Sequence, residues 1–162
     1  MTDGAARIRP ARPEDAEAIV RLAALLEAEE GTGACRLRPE HVRAHGFGEG
    51  RLFSVLVAER GGGLVGYALF YPSFDVTHAA KGFYLNDLFV VRAERGRRTG
   101  RALMRAVARA CFAQGGQYLF WNALASNARA RGFYRHLGAR EEPVVTFALH
   151  GEPMLRLARG GD

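Results

Sequence analysis

Lysine is almost missing from this 162-residue chain: Lys81 stands alone against 22 arginines. With 17 acidic residues the formal charge is +6 and the isoelectric point about 10.0. That balance directs attention to nucleic acid, a membrane surface or an anionic small molecule. The arginines, however, are spread through the expected helices as well as clustered at Arg95 to Arg101, a mark of compositional bias more than of one binding surface. Cysteine is scarce too, and Cys35 and Cys111 are too few for a disulfide scaffold and not spaced as metal ligands; both are read as ordinary thiols. No apolar run approaches the roughly 18–20 residues that span a bilayer. The first ten residues lack the apolar stretch of a secretion signal, so the expectation is a soluble, cytoplasmic protein with no membrane partner. Repeats, low-complexity tracts and linkers are also absent, and at this length one domain over residues 1–162 is expected.

What is present alternates between two periodicities. Residues 8–10 read as a short strand, and Pro13 opens a helix whose Ala16, Ile19, Val20, Ala23 and Leu26 recur at helical spacing until the glycines at 31–33. A second helix is expected from Pro39 to His45. Residues 52–59 and 64–71 form a hairpin across Gly61-Gly-Gly63, 72–82 a loop, and 83–91 a largely buried strand. A helix over 99–113, a strand over 118–124, a helix over 127–137 stopped by Gly138, and a strand over 144–149 follow; the tail at 153–157 is a helical turn or a strand. Strands interleaved with helices give an α/β (α+β) fold and exclude all-α and all-β architectures.

The most informative stretch is Tyr84-Leu-Asn-Asp-Leu-Phe-Val-Val-Arg-Ala-Glu-Arg-Gly-Arg-Arg-Thr-Gly-Arg-Ala-Leu-Met104, a strand running through an Arg/Gly turn into a helix. Glycine lets main chain approach a ligand, and the first N–H groups of a helix point at whatever anion sits there, so this reads as a pyrophosphate cradle. His41 and His45 stand at metal-ligand spacing but lack a third ligand nearby, and no metal site is expected.

Two motifs resemble the GNAT acetyltransferase superfamily. The cradle is similar to Arg/Gln-x-x-Gly-x-Gly/Ala, beginning at Arg95 without gaps, with Arg98 where the first motif glycine usually stands. A slipped register from Arg97 to Ala102 also fits, but the flanking residues favour the first. Trp121 to Ala139, with Asn127, Phe133, Tyr134, Leu137 and Gly138, is similar to the family's Asn-x-x-Ala-x-x-Phe-Tyr-x-x-Leu-Gly-Ala signature. Arg9-Pro-Ala11, His45-Gly-Phe-Gly-Glu49, Phe70-Tyr-Pro-Ser-Phe74 and Tyr84-Leu-Asn-Asp87 extend the resemblance to the spermidine/spermine and diamine acetyltransferase-like branch, with Asn86 in place of that branch's usual Glu.

The resemblance implies a mixed sheet of about six to seven strands with splayed central parallel strands, acetyl-CoA as cosubstrate, a small-molecule amine acceptor and a homodimer. It implies cofactor contacts from the backbone of Leu88, Phe89 and Val90, from Arg95, Gly96, Arg97, Arg98, Thr99, Gly100 and Arg101, and from Asn127 and Ala130. Arg98 keeps its N–H available there if its φ is negative. Tyr134 is the implied catalytic acid, a phenol able to hand a proton to a departing thiolate. Asp87, Asn86, Glu29 and Glu30 are candidates for the acceptor cleft, with Glu49 able to add negative potential. Two rival readings remain at this point: a GNAT-like acetyl-CoA sensor without catalysis, motivated by Arg98 and Asn86, and a basic nucleic-acid-binding module. The second fits less well, because the Arg-rich run starts a phosphate-cradling helix with no recognition-helix pattern beside it. The resemblance thus implies acetyl transfer to a primary amine of a small molecule, and no nucleic-acid partner is expected.

Overall fold

A computed structural model describes residues 4–31 and 33–160; Thr32, inside the expected helix break, lies outside the described residues. Two compact units result, Met1–Ala128 and Arg129–Asp162.

The first unit is a sheet with helices on both faces. Strands β1 (Arg7–Pro10), β2 (Ser54–Arg60), β3 (Gly63–Asp75), β4 (Ala80–Val90) and β5 (Tyr118–Phe120) lie in chain order, the first three pairings antiparallel and β4–β5 parallel. Helices α1 (Ala16–Glu30), α2 (Pro39–Gly46) and α3 (Thr99–Ala113) complete it. Arg9 ties the entry together: its Nε donates to Glu59 at 2.7 Å and its terminal nitrogens to Asp15 at 2.7 and 2.9 Å, joining β1, β2 and the turn that opens α1. Gly31, at φ +67°, ends α1, as a left-handed glycine cap does.

Side-chain alternation assigns the two faces. Val55, Val57, Tyr67 and Leu69 cluster with Ala16, Ile19, Leu22 and Ala23 of α1 and Val42 of α2. The intervening residues Leu56, Ala58, Ala68 and Phe70 are equally buried and face the other way, where α3 packs through Leu103, Met104, Val107 and Cys111. A Cβ on Gly66 would meet Leu103, which places α3 on that second face.

Where β4 meets β5 the strands touch closely. A Cβ on Gly82 would sit 2.5 Å from the Tyr118 carbonyl and ring, so only glycine fits. Among the described residues the pairing covers Gly82, Phe83 and Tyr84, and β4 runs on through residues 85–90 without β5 beside it. This is the expected splay between parallel strands.

Among the described residues the sheet has five strands, not six to seven. β5 stops at Phe120, short of residue 124, and residues 144–149 form no strand. Val144, Val145, Phe147 and Leu149 are exposed: their near-alternation satisfies the strand period, but no neighbouring strand is present among the described residues. The expected loop at 72–82 is mostly strand, since β3 and β4 continue to Asp75 and Ala80. Asp75 makes the shorter turn possible by accepting from the backbone N–H groups of Thr77 at 2.8 Å and His78 at 3.2 Å. Pro72 is tolerated because β3 has already left its β2 partner at Phe70.

The second unit holds most of α4 (Ala128–His136) and all of α5 (Glu152–Ala158), which resolves the tail as helical. Gly138, at φ +90°, closes α4, and Glu141 pairs with Arg131 and Arg135.

Candidate functional site

A β-bulge sets the acidic half of the site. Leu69 pairs with Asp87 and Phe70 with Leu85, so Asn86 is an extra residue in β4. By strict alternation Asp87 would share the face of Phe83 and Leu85, under α3. The inserted residue reverses the parity and turns Asp87 to the α1 face, beside Leu69.

There Asp87 is clamped. The hydroxyl of Tyr67, a fully buried side chain on β3, donates to Oδ2 at 2.8 Å, and the Asn86 amide donates to Oδ1 at 2.9 Å. Burial raises the Asp87 pKa, while the Tyr67 and Asn86 hydrogen bonds pull it back and the Glu27 charge adds to the rise. Burial, then the neighbouring Asp87 charge, hold the Tyr67 phenol far above its ordinary range, so it stays a donor. Glu30 is raised by its own burial and by Glu27 and Asp87, and Tyr71 by burial, Tyr84 and Asp87. Thus Asp87, bonded to Asn86, and Glu30 lie near enough to Glu27 and to each other to share one negatively charged region.

Glu29 is engaged elsewhere. Its carboxylate is held by Arg95 Nη2 at 2.9 and 2.7 Å, while Arg95 Nε donates to the Val90 carbonyl at 3.0 Å and the guanidinium lies 5.7 Å from the Phe89 ring centroid. Arg95 thereby straps the end of α1 to the end of β4. Of the expected backbone donors, Phe89 is buried in the core and Leu88 and Val90 are half-buried on the splayed part of β4.

The cradle follows. After a 3-10 turn at Arg92–Glu94 and extended Arg95, Gly96 adopts φ +78° with open space at its missing Cβ. Arg98 sits at φ +64°, ψ +7° as the N-cap of α3. The condition of a negative φ is not met: the chain takes a left-handed residue there, and an arginine occupies it at a cost of roughly 1–2 kcal/mol. Arg98 makes no side-chain cap hydrogen bond, so the amides of Thr99, Gly100 and Arg101 open the helix without a protein cap. The Thr99 hydroxyl is buried without a hydrogen-bond partner among the described residues, and the first turn holds no acid. An uncapped, acid-free helix start next to an orphaned hydroxyl and an open glycine fits a diphosphate. Arg97 and Arg101 are exposed beside it.

Asn127 directly precedes α4, its N–H donating to the Leu124 carbonyl; Ala130 and Tyr134 lie on α4 within the second unit, Tyr134 half-buried with its ring 5.3 Å from Phe133. His41 Nδ1 accepts from the Arg38 N–H at 3.2 Å, a helix-start role, and no group of three potential metal ligands occurs among the described residues. No helix among them is long and apolar enough to cross a membrane.

Sequence reasoning missed Tyr67 and Glu27. A hydroxyl-bearing ring inside the otherwise apolar run Gly66-Tyr-Ala-Leu-Phe70 was the available signal for the first, and the three-residue spacing of Glu27 and Glu30 on α1 for the second.

Comparison with known proteins bears on the whole arrangement. The Acetyltransferase (GNAT) family model matches residues 20–139. The thialysine N-epsilon-acetyltransferase of Mus musculus is 33% identical over 165 residues, covering 94% of this chain and 96% of that protein; the Bos taurus enzyme of the same name is 34% identical over 93% and 96%. Among solved structures, an integron cassette protein from V. cholerae superposes with TM-score 0.79 at 23% identity, over 96% of this chain and 99% of that one. An aminoglycoside acetyltransferase from an uncultured soil metagenomic sample, solved with sisomicin, gives 0.78 at 23% identity, over 94% and 100%. At such identities the solved structures speak to the fold.

Proposed function

The chain belongs to the acetyltransferase (GNAT) family, and on that premise we propose that it moves an acetyl group from acetyl-CoA to a primary amine of a small molecule, by direct attack in a ternary complex. The observation that carries the amine acceptor is Asp87, a half-buried carboxylate turned by a bulge to the α1 face, with the charges of Glu27 and Glu30 near it. Negative potential attracts an ammonium. A carboxylate whose proton affinity is raised by burial is suited to take a proton from that ammonium, which must be uncharged to attack.

Bound acetyl-CoA supplies the thioester. The amides of Thr99, Gly100 and Arg101 hold its diphosphate at the α3 start, and the main chain of Leu88, Phe89 and Val90 offers hydrogen bonds along the splayed edge of β4. Tyr134 donates a proton from its hydroxyl to the leaving sulfur, while Asn127 and Ala130 contact the cofactor; these three assignments rest on the sequence pattern. Relatives named for thialysine support a small amine as acceptor. A homodimer is the proposed assembly, supported by the exposed Val144, Val145, Phe147 and Leu149, and sedimentation velocity tests it.

The deciding experiment is an acetyl-CoA thiol-release assay over diamines, thialysine, aminoglycosides and peptide amines. Turnover on small amines is expected, with Tyr134→Phe lowering kcat about 100-fold or more at nearly unchanged acetyl-CoA affinity. Calorimetric acetyl-CoA binding without thiol release for any amine would replace catalysis with cofactor sensing.

A further inference from the structure

Tyr67 has no assigned part in the reaction, yet it is the largest of the fully buried side chains. Its ring lies opposite Phe89 in the β3–β4 register, while Asp87 lies opposite Leu69, so the hydroxyl reaches diagonally across the two strands to its 2.8 Å bond with Oδ2. A phenylalanine would fill the same volume in this core. What the hydroxyl adds is a fixed donor for one carboxylate.

We propose that Tyr67 is the positioning residue of the acceptor site: with Asn86 it pins one oxygen each of Asp87, leaving the carboxylate's remaining lone pairs aimed at the acceptor nitrogen. The inference rests on the reading of Asp87 as the acceptor-binding carboxylate. Each carboxylate oxygen accepts more than one hydrogen bond, so two donors orient Asp87 without occupying it fully. The pinning also opposes the effect of burial, because a donor to the charged form favours that form. Asn86 is suited to this by its place in the bulge, where its short amide folds back onto the neighbouring carboxylate. Facing Asp87 are Glu27 and Glu30 from α1 and Tyr67 and Tyr71 from β3, with Cys35 close to the Tyr67 hydroxyl; none of these is a cation that would do the donor's work.

The test compares kcat/KM against pH for the parent, Tyr67→Phe and Asp87→Asn. Loss of a donor to the charged carboxylate raises its proton affinity, so the acidic limb of Tyr67→Phe moves upward by about one pH unit. At pH 7 the amine KM rises several-fold, and the acetyl-CoA Kd stays within twofold. Asp87→Asn abolishes that limb. Incorporation of 3-fluorotyrosine at position 67 keeps the ring and strengthens the donor, so the limb moves downward; this arm stands even where Tyr67→Phe fails to fold. A limb unmoved in the position-67 variants but abolished in Asp87→Asn overturns the role of Tyr67 alone. A limb that survives Asp87→Asn overturns the reading of Asp87 and this inference with it.

Discussion

α1 and α3 are each 15 residues long and pack on opposite faces of one sheet, yet their charges are opposed. α1 carries Glu17, Glu27, Glu29 and Glu30 against Arg21, whereas α3 carries Arg101, Arg105 and Arg109 and no acid. The asymmetry extends beyond the helices, since no acidic residue occurs between Glu94 and Glu141. A low-dielectric sheet keeps the two zones apart, so each retains its own sign of potential. A cation and an anion are thus drawn to different sides of β4. Two features cross that divide: the bulge at Asn86, which delivers Asp87 to the acidic face, and Arg95, which reaches from the cradle to Glu29.

Removing the central charge breaks the contrast most severely. Asp87→Asn lowers kcat/KM for the amine by about 100-fold or more, read by thiol release. The same change affects stability in the opposite direction. Burial raises the folded-state pKa of Asp87, so its contribution is favourable below the unfolded value and is lost as pH rises through the folded one. Asp87→Asn therefore melts above the parent at pH 8, and the gap closes toward pH 4 in a calorimetric series.

Charge reversals separate the two zones. Glu30→Lys raises the amine KM roughly tenfold with acetyl-CoA affinity held, and Arg101→Glu weakens acetyl-CoA roughly tenfold with the amine KM held, about 1.4 kcal/mol in each case. If both reversals moved both constants alike, the faces would not act independently. The smallest effect belongs to Arg98→Gly. Relief of a left-handed side chain outweighs the added freedom of glycine by about 0.5–1 kcal/mol, and Tm rises by about 1–4 °C.

Much of this was legible in the residues. Helical spacing in α1, the Gly61–Gly63 hairpin and the Arg/Gly turn before α3 are local signals, and each appears where the spacing puts it. Residues 144–149 show the limit of such signals: alternation marks a segment fit to be a strand, but pairing needs a neighbour that local pattern does not supply. The site divides the same way. Asp87 was visible as a charge inside an apolar strand, and the cradle by its glycines. The bulge was not visible, because it exists only in the register between β3 and β4. Glu29 looked like an acceptor residue until Arg95, 66 positions away, claimed it, and the left-handed Arg98 defied the preference that would have announced glycine.

The brevity of β5 has a consequence for the handling of the protein. Past Tyr84, the side of β4 turned toward β5 has no ladder pairing among the described residues, and an unpaired strand edge accepts any extended chain that reaches it, including another copy's. Ligand-free material should therefore clump on storage and exchange quickly with deuterated solvent those amides of residues 85–90 that point away from β3. A molecule lying along that edge would act as a preservative, slowing both.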